Sequence, residues 1–202
     1  MSEVSDDTAL RGHYRPMSDR VQRKVLNRLD SHCKRIIELS PFCVLGTSNQ
    51  DGQADVSPRG GAPGFVRCLD DNTLILPDAS GNNRLDSLSN AVQNPEVGLL
   101  FMVPGLEETL RVNGRASVSA DPELCASFDV GRRPAATVLK IEVREAFLHC
   151  AKAIMRADLW NPQTHIDRGT LPSISQMLKD QIGFDEPAQS QDEMGEYYRR
   201  SM

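Results

Sequence analysis

Two arginines and a pair of asparagines stand where an anion could be gripped. Arg59 sits inside "DVSPRGGAPGF", residues 55–65, among two prolines and three glycines that stop an apolar run. This stretch reads as a loop too rigid and too poor in apolar groups to serve packing alone, so it holds the guanidinium out from the chain. "LPDASGNNRLDS", residues 76–87, leaves a second apolar run and places Asn82, Asn83 and Arg84 where a helix begins. Unpaired N–H groups and the helix dipole favour an anion at such a point, and Arg84 adds a planar fork of donors. Gly81 permits close backbone approach. If the two strands are neighbours, Arg59 and Arg84 close on one phosphate. The competing reading leaves both as solvated arginines tied to local carboxylates such as Asp55 and Asp86.

A second concentration of polar chemistry is "HCAKAIMRADLW", residues 149–160. Lys152 and Arg156 are four apart and share a helix face, where like charges repel unless an anion or carboxylate lies between them. Alternatively the segment is a solvated helix whose Ile154 and Met155 close the end of the sheet, with Trp160 in the core. No general base or covalent nucleophile is evident. His13, His32, His149 and His165 are isolated, and the serines lack a G-x-S-x-G setting. The catalytic residues are therefore unassigned, which suits chemistry carried by a cofactor. The five cysteines are odd in number and contain no C-x-x-C, which indicates reduced thiols rather than a disulfide framework or a zinc site. His149 and Cys150 are adjacent, and neighbours on a strand face opposite ways, so no metal site is expected.

The elements that must position these groups are legible from periodicity. Apolar residues at Val21, Val25, Leu29, Cys33, Ile36 and Ile37 predict one helix over about residues 17–39. "FCVLGTSNQDGQADVS" reads as a hairpin turning at Asp51-Gly52, and "GFVRCLD" with "TLILPD" as a second. "NNRLDSLSNAVQN" predicts a short helix with Leu85, Leu88 and Val92 on its apolar side. "EVGLLFMV" has the continuous apolar run of a strand buried on both faces. "ETLRVNGRASVSA" and "ATVLKIEVREAFLHC" alternate as strands do, and Asp121-Pro122 opens a helix between them. "SISQMLKDQIGF" is helical, whereas "DEPAQSQDEMGEYYRRSM" is polar enough to be mobile. The sum is about six antiparallel strands in a closed or half-closed barrel. The net charge of −5 without clustered basic residues argues against nucleic acid as a partner. With no apolar run near the roughly 20 residues of a membrane span and an acidic, polar N-terminus, the expected location is cytoplasmic, away from membranes.

The ordered segments "PFCVLGTSNQDGQADVSPRG", "TLILPDASGNNRLDSL", "NPEVGLLFMVPG" and "ETLRVNGRASVS" resemble the pyridoxamine 5'-phosphate oxidase-like flavoproteins, over about residues 17–165. Within them the chain is most similar to a bacterial branch of FMN-dependent enzymes. The resemblance implies a mainly β fold with flanking helices, a six-stranded antiparallel split β-barrel. It implies a single domain over residues 1–202, with the N-terminal helix at about 17–39, the barrel at about 42–150 and a helical C-terminal extension at about 151–202. It further implies a homodimer with FMN in each of two clefts at the subunit interface, acting as an oxidoreductase of unknown substrate and electron donor. A half-open barrel also leaves strand edges and "VGLLFMVPG" short of cover, which a symmetric partner provides.

By the same resemblance the FMN phosphate falls to Arg59 and to Asn83 with Arg84. The strand positions beside the flavin ring fall on Leu76 and Pro77, the latter confined to carbonyl and packing roles because it has no N–H. The family's glutamine contact corresponds to Thr109, a shorter hydroxyl side chain. Arg111 shares that strand face and either reaches the flavin region or is an exposed strand arginine. Arg132 and Arg133 precede a long strand where the true oxidases touch substrate phosphate. Lys152 and Arg156 are the candidate substrate or partner-subunit contacts. Those oxidases also carry a tryptophan-containing strand followed by an Arg-Leu-His-Asp-Arg type motif, whereas this chain has "GEYYRRSM", so vitamin B6 oxidation is not expected. The alternative on the same fold is a non-catalytic protein that binds or senses flavin, deazaflavin or haem, with His149 the haem candidate.

Overall fold

A computed structural model describes residues 3–79, 81–128, 130 and 134–201. Its strands are β1 (Phe42–Ser48), β2 (Ala54–Gly60), β3 (Arg67–Cys68), β4 (Thr73–Pro77), β5 (Glu96–Met102), β6 (Thr109–Ser119) and β7 (Val138–His149). They form one antiparallel sheet in the order β2-β1-β5-β6-β7-β4-β3. The expected six-stranded barrel is thus a seven-stranded sheet that does not close. One edge is the two-residue β3, and the other edge, β2, carries Pro58, which offers no N–H to a further partner.

The sheet nevertheless curls round one core. Cys43 and Leu45 of β1, Leu74 and Leu76 of β4, Phe101 of β5, Leu110 and Val112 of β6, and Ile141 of β7 belong to a single apolar cluster. The helices are α1 (Asp7–Gly12), α2 (Asp19–Arg23), α3 (Ser31–Leu39), α4 (Asp86–Gln93), α5 (Pro122–Ala126), α6 (Lys152–Ala157), α7 (Ile174–Ile182) and α8 (Gln191–Ser201). Leu29 just before α3, with Cys33 and Ile37 on it, seals the same core.

Three local expectations are corrected. The single helix over 17–39 is two, α2 and α3, because Leu26 leaves the helical path to form a bridge with Ala146 of β7, with N–H···O distances of 3.0 and 2.8 Å. Asp30 then restarts the helix by accepting from the Cys33 N–H at 2.8 Å. β5 is not buried on both faces: Val97, Leu99 and Phe101 are buried, while Leu100 and Met102 are half-exposed. On α4 the buried residues are Ser87 and Ala91, whereas Leu85 and Val92 face solvent and Leu88 alone of the expected apolar trio packs on the core.

The extended β6–β7 ladder contains a bulge between Asn113 and Gly114. A Cβ at Gly114 would collide with the carbonyl oxygen of Glu142, so the irregularity requires glycine at that point. Among the described residues no helix is long and apolar enough to cross a membrane. Within the polar C-terminal stretch, Gln191–Ser201 form α8.

Candidate functional site

Arg59 lies on β2 rather than in a loop beyond it, opposite Cys43 of β1. Alternation along this edge strand puts Asp55, Ser57 and Arg59 on its half-buried side and Val56 and Pro58 outside. Across from them the chain leaves β4 at Pro77, and the Asp78 N–H donates to Thr137 O at 2.9 Å. The Asp78 carboxylate accepts from Arg59 Nη1 at 3.2 Å, with both side chains largely removed from solvent. Arg59 Nε is buried and finds no hydrogen-bond acceptor among the described residues.

The crossover to α4 supplies the other wall. Asn83 and Leu85 adopt left-handed backbone conformations, with φ of 58° and 59°. The Asn82 side chain accepts from the Arg84 N–H at 3.1 Å, closing a tight turn. Arg84 Nε donates to Asp86 at 2.7 Å, and Ser87 Oγ donates to Asp55 at 3.1 Å, fastening the first turn of α4 to β2. A cleft of about 840 Å³ opens here, lined by Arg59, Asp78, Asn82, Asn83, Arg84 and, from the far end of the chain, Tyr198.

The two arginines therefore border one cleft, and each also touches a carboxylate. For Arg84 the partner is the expected Asp86. For Arg59 it is Asp78, while Asp55 is occupied by Ser87. Each guanidinium keeps donors that its carboxylate does not use, so an ion pair and an anion contact are compatible.

On the other side of Arg59 lies a second chamber of about 690 Å³, walled by the 60–65 loop, Pro77, Phe128 and Ser201. The Arg67 guanidinium stacks on the Phe128 ring at 4.1 Å there. A shallower depression of about 400 Å³ over β5–β7 is lined by Glu96, Arg144, Asn113 and Glu145. Its polar groups satisfy one another, through Arg144–Glu96 at 3.5 Å and Asn113–Glu145 at 3.0 Å.

The remaining candidates are dispersed. Leu76 points into the core and is only 1% exposed, and Pro77 is buried against the second chamber. Thr109 is buried opposite His149 on β7, and Arg111 lays its guanidinium 5.1 Å from the Phe147 ring; neither lines the two chambers beside Arg59. Lys152 and Arg156 are exposed on α6, also outside both chambers. Arg132 and Arg133 lie outside the described residues. Trp160 is half-buried and donates its indole N–H to Leu106 O at 2.8 Å. The His149 Nδ1 is buried without a hydrogen-bond partner among the described residues.

Two residues of the cleft carried little signal in the sequence. Asp78 had one, an acidic residue directly after the strand-ending Pro77. Tyr198 had none, since only the return of the tail brings it there. Burial pushes the Cys43 thiol, across the ladder from Arg59, up to about 12 despite the opposing pull of that guanidinium. It is therefore not a nucleophile at neutral pH. Among the described residues no three His, Cys, Asp or Glu side chains gather to hold a metal.

Comparison with known proteins adds the following. A family model, that of pyridoxamine 5'-phosphate oxidase, matches residues 29–150. No curated protein matches the sequence. The solved structure of a histidine-to-alanine variant of HupZ from Group A Streptococcus is similar with a TM-score of 0.50 at 19% identity, over 60% of this chain and 99% of that one. A Lactobacillus delbrueckii protein described as a candidate pyridoxamine 5'-phosphate oxidase gives 0.47 at 21%, over 60% and 95%. General Stress Protein 26 from Bacillus anthracis gives 0.43 at 18%, over 58% and 93%. At such identities the likeness is one of fold.

Proposed function

The chain belongs to the pyridoxamine 5'-phosphate oxidase family, and from that premise we propose that it is an FMN-dependent oxidoreductase holding the FMN phosphate in the Arg59–Arg84 cleft. The observation that carries this reading is the buried Nε of Arg59, which has no acceptor among the described residues, beside a cleft that Arg84 also borders. A desolvated donor of this kind is costly unless an acceptor arrives, and a phosphoryl oxygen is a suitable one.

The residues present fit that group. Arg59 offers Nε while Asp78 holds Nη1, and Arg84 offers its terminal nitrogens while Asp86 holds Nε. The two carboxylates thus fix the planes of the forks rather than consume them. The left-handed turn at Asn83 sets the backbone between the two cations. FMN, when bound, supplies the hydride and electron chemistry, which accords with the absence of a dedicated nucleophile. The chain's own share is to bind, to orient and to exclude water. The Gly60–Phe65 loop, Pro77 and Phe128 give the second chamber apolar walls suited to a flat ring.

A homodimer is part of the same proposal. The side chains of Phe42, Val44, Leu100 and Met102 lie half-exposed on β1 and β5, an apolar face that a second copy would cover.

The test is direct. The purified protein is titrated with FMN, separated from free ligand, and its visible spectrum recorded; a retained flavin spectrum is the expected result. A protein that stays colourless through that procedure is not an FMN protein.

A further inference from the structure

The last helix reaches back to the cleft from more than a hundred residues away in the sequence. Its foot is held firmly. Ser173 Oγ donates to Gln189 O at 2.7 Å, the Gln189 N–H donates to Ser175 Oγ at 3.0 Å, and Arg168 donates to the Gln191 side chain at 2.7 Å. Ser190 and Glu193 form a capping box: the Ser190 N–H donates to Glu193 at 2.7 Å, and the Glu193 N–H donates to Ser190 Oγ at 3.3 Å. The helix is therefore started by its own local bonds, and α8 contains no buried residue. Its free end does something else. Tyr198 lines the Arg59–Arg84 cleft, and Ser201 lines the chamber on the opposite side of Arg59. One helical turn thus walls both spaces that flank the candidate anion donor.

Arg59 and Arg84 face three carboxylates in the cleft wall, Asp55, Asp78 and Asp86. Two cations against three carboxylates leave no net positive charge, so an anion there relies on the guanidinium donors that the carboxylates do not use, and any further donor at the cleft mouth strengthens its hold. Arg199 and Arg200 follow Tyr198 in the last turn of α8 but line neither chamber, and Glu196 lies on the same helix, so the contact with the cleft is made by Tyr198 itself. Tyr198, at 45% exposure, keeps solvent-facing surface that a ligand in the cleft could cover.

We infer that α8 is a cap belonging to this cleft, and that Tyr198 closes it over a bound phosphoryl ligand, coupling ligand binding to ordering of the C-terminus. The inference rests on the proposed FMN reading but is separable from it. A helix anchored at its foot, capped locally and without buried side chains opens at low cost, so a ligand that adds contacts at its tip shifts it towards the closed position.

The experiment uses the full chain and two readouts, equilibrium FMN binding and hydrogen exchange of the amides in residues 184–201. In the wild type, FMN slows exchange across α8. Tyr198→Ala raises the FMN dissociation constant roughly tenfold and abolishes that slowing, while Tyr198→Phe restores most of the affinity by keeping the ring. Tyr198 is exposed on a surface helix, so neither variant disturbs the core. FMN binding by the wild type, together with unchanged affinity in Tyr198→Ala and α8 exchange indifferent to FMN, overturns the cap and leaves the flavin reading standing. A wild type that binds no FMN overturns both.

Discussion

Arg59 Nη1 and Asp78 Oδ1 stand 3.2 Å apart with their side chains 21% and 19% exposed, a charge pair that joins edge strand β2 to the exit of β4 at the candidate site. The pair is deep enough to matter to folding, and it leaves Arg59 Nε without an acceptor among the described residues. Arg59→Ala is expected to weaken FMN binding by about tenfold to hundredfold, the worth of a charge-assisted contact. Arg59→Lys should recover only part of this, because an ammonium lacks the fork. Asp78→Asn should cost about 1–2 kcal/mol of stability, between the values for exposed and buried pairs, and should weaken FMN binding less than Arg59→Ala does, since the fork keeps its donors but loses the carboxylate that orients it. Denaturant titration and FMN titration of the three variants check this. Equal FMN affinity in Arg59→Ala and wild type would remove Arg59 from the site.

Arg84 is much more open, at 73% side-chain exposure, so its contribution is screened by salt. Arg84→Ala should weaken FMN binding less than Arg59→Ala does, and should flatten the dependence of affinity on ionic strength. Binding isotherms at several salt concentrations distinguish this from a purely structural role for the Arg84–Asp86 contact.

The cysteines should divide sharply in reactivity. Cys150 is exposed, whereas Cys33, Cys43 and Cys125 are buried and Cys68 is partly so. Burial raises the Cys33 and Cys68 thiols to about 11 and that of Cys43 to about 12. Alkylation of the native protein at mildly alkaline pH should label Cys150 alone, with the rest appearing only after unfolding. Peptide mass spectrometry reads the pattern, and rapid native labelling of Cys43 would contradict the packing of β1 against the core.

Asp30 caps α3, and the Cys33 N–H it accepts holds its carboxyl below the ordinary value. For a carboxyl group lowered in the folded state, the stabilisation is present above the unfolded pKa and is lost as pH falls through the folded one. Asp30→Ala should therefore cost about 1 kcal/mol at neutral pH, and the difference from wild type should shrink on acidification. Thermal unfolding at neutral and acid pH tests it; a gap that widens in acid would be the wrong sign.

Gly114 occupies the bulge between β6 and β7, where a side chain would strike the Glu142 carbonyl oxygen and crowd Ile141. Gly114→Ala must displace the β7 backbone, at a cost of about 1–3 kcal/mol. A variant with unaltered melting temperature would show that the ladder accommodates the methyl group freely.

The hairpins, the half-buried alternation of β6 and β7 and the capped start of α5 were legible in the sequence because each depends on local periodicity or turn chemistry. The tight turn at residues 82–84 was legible for the same reason, since glycine and asparagine act on their own backbone. Long-range contacts decided the rest. The Leu26–Ala146 bridge, formed by residues 120 positions apart, broke a helix that its own pattern favoured. The pairing of Pro58 with Val44 drew a proline-bearing stretch into the edge of a sheet, where a missing N–H costs nothing. Whether Arg59 met Asp55 or Asp78, and whether the polar tail reached the cleft through Tyr198, depended on how distant strands and helices were brought together. A sequence states which groups are available and what conformations their neighbours allow. Which of them share a cleft is settled by burial of the common core, because that term sums over residues from every part of the chain at once.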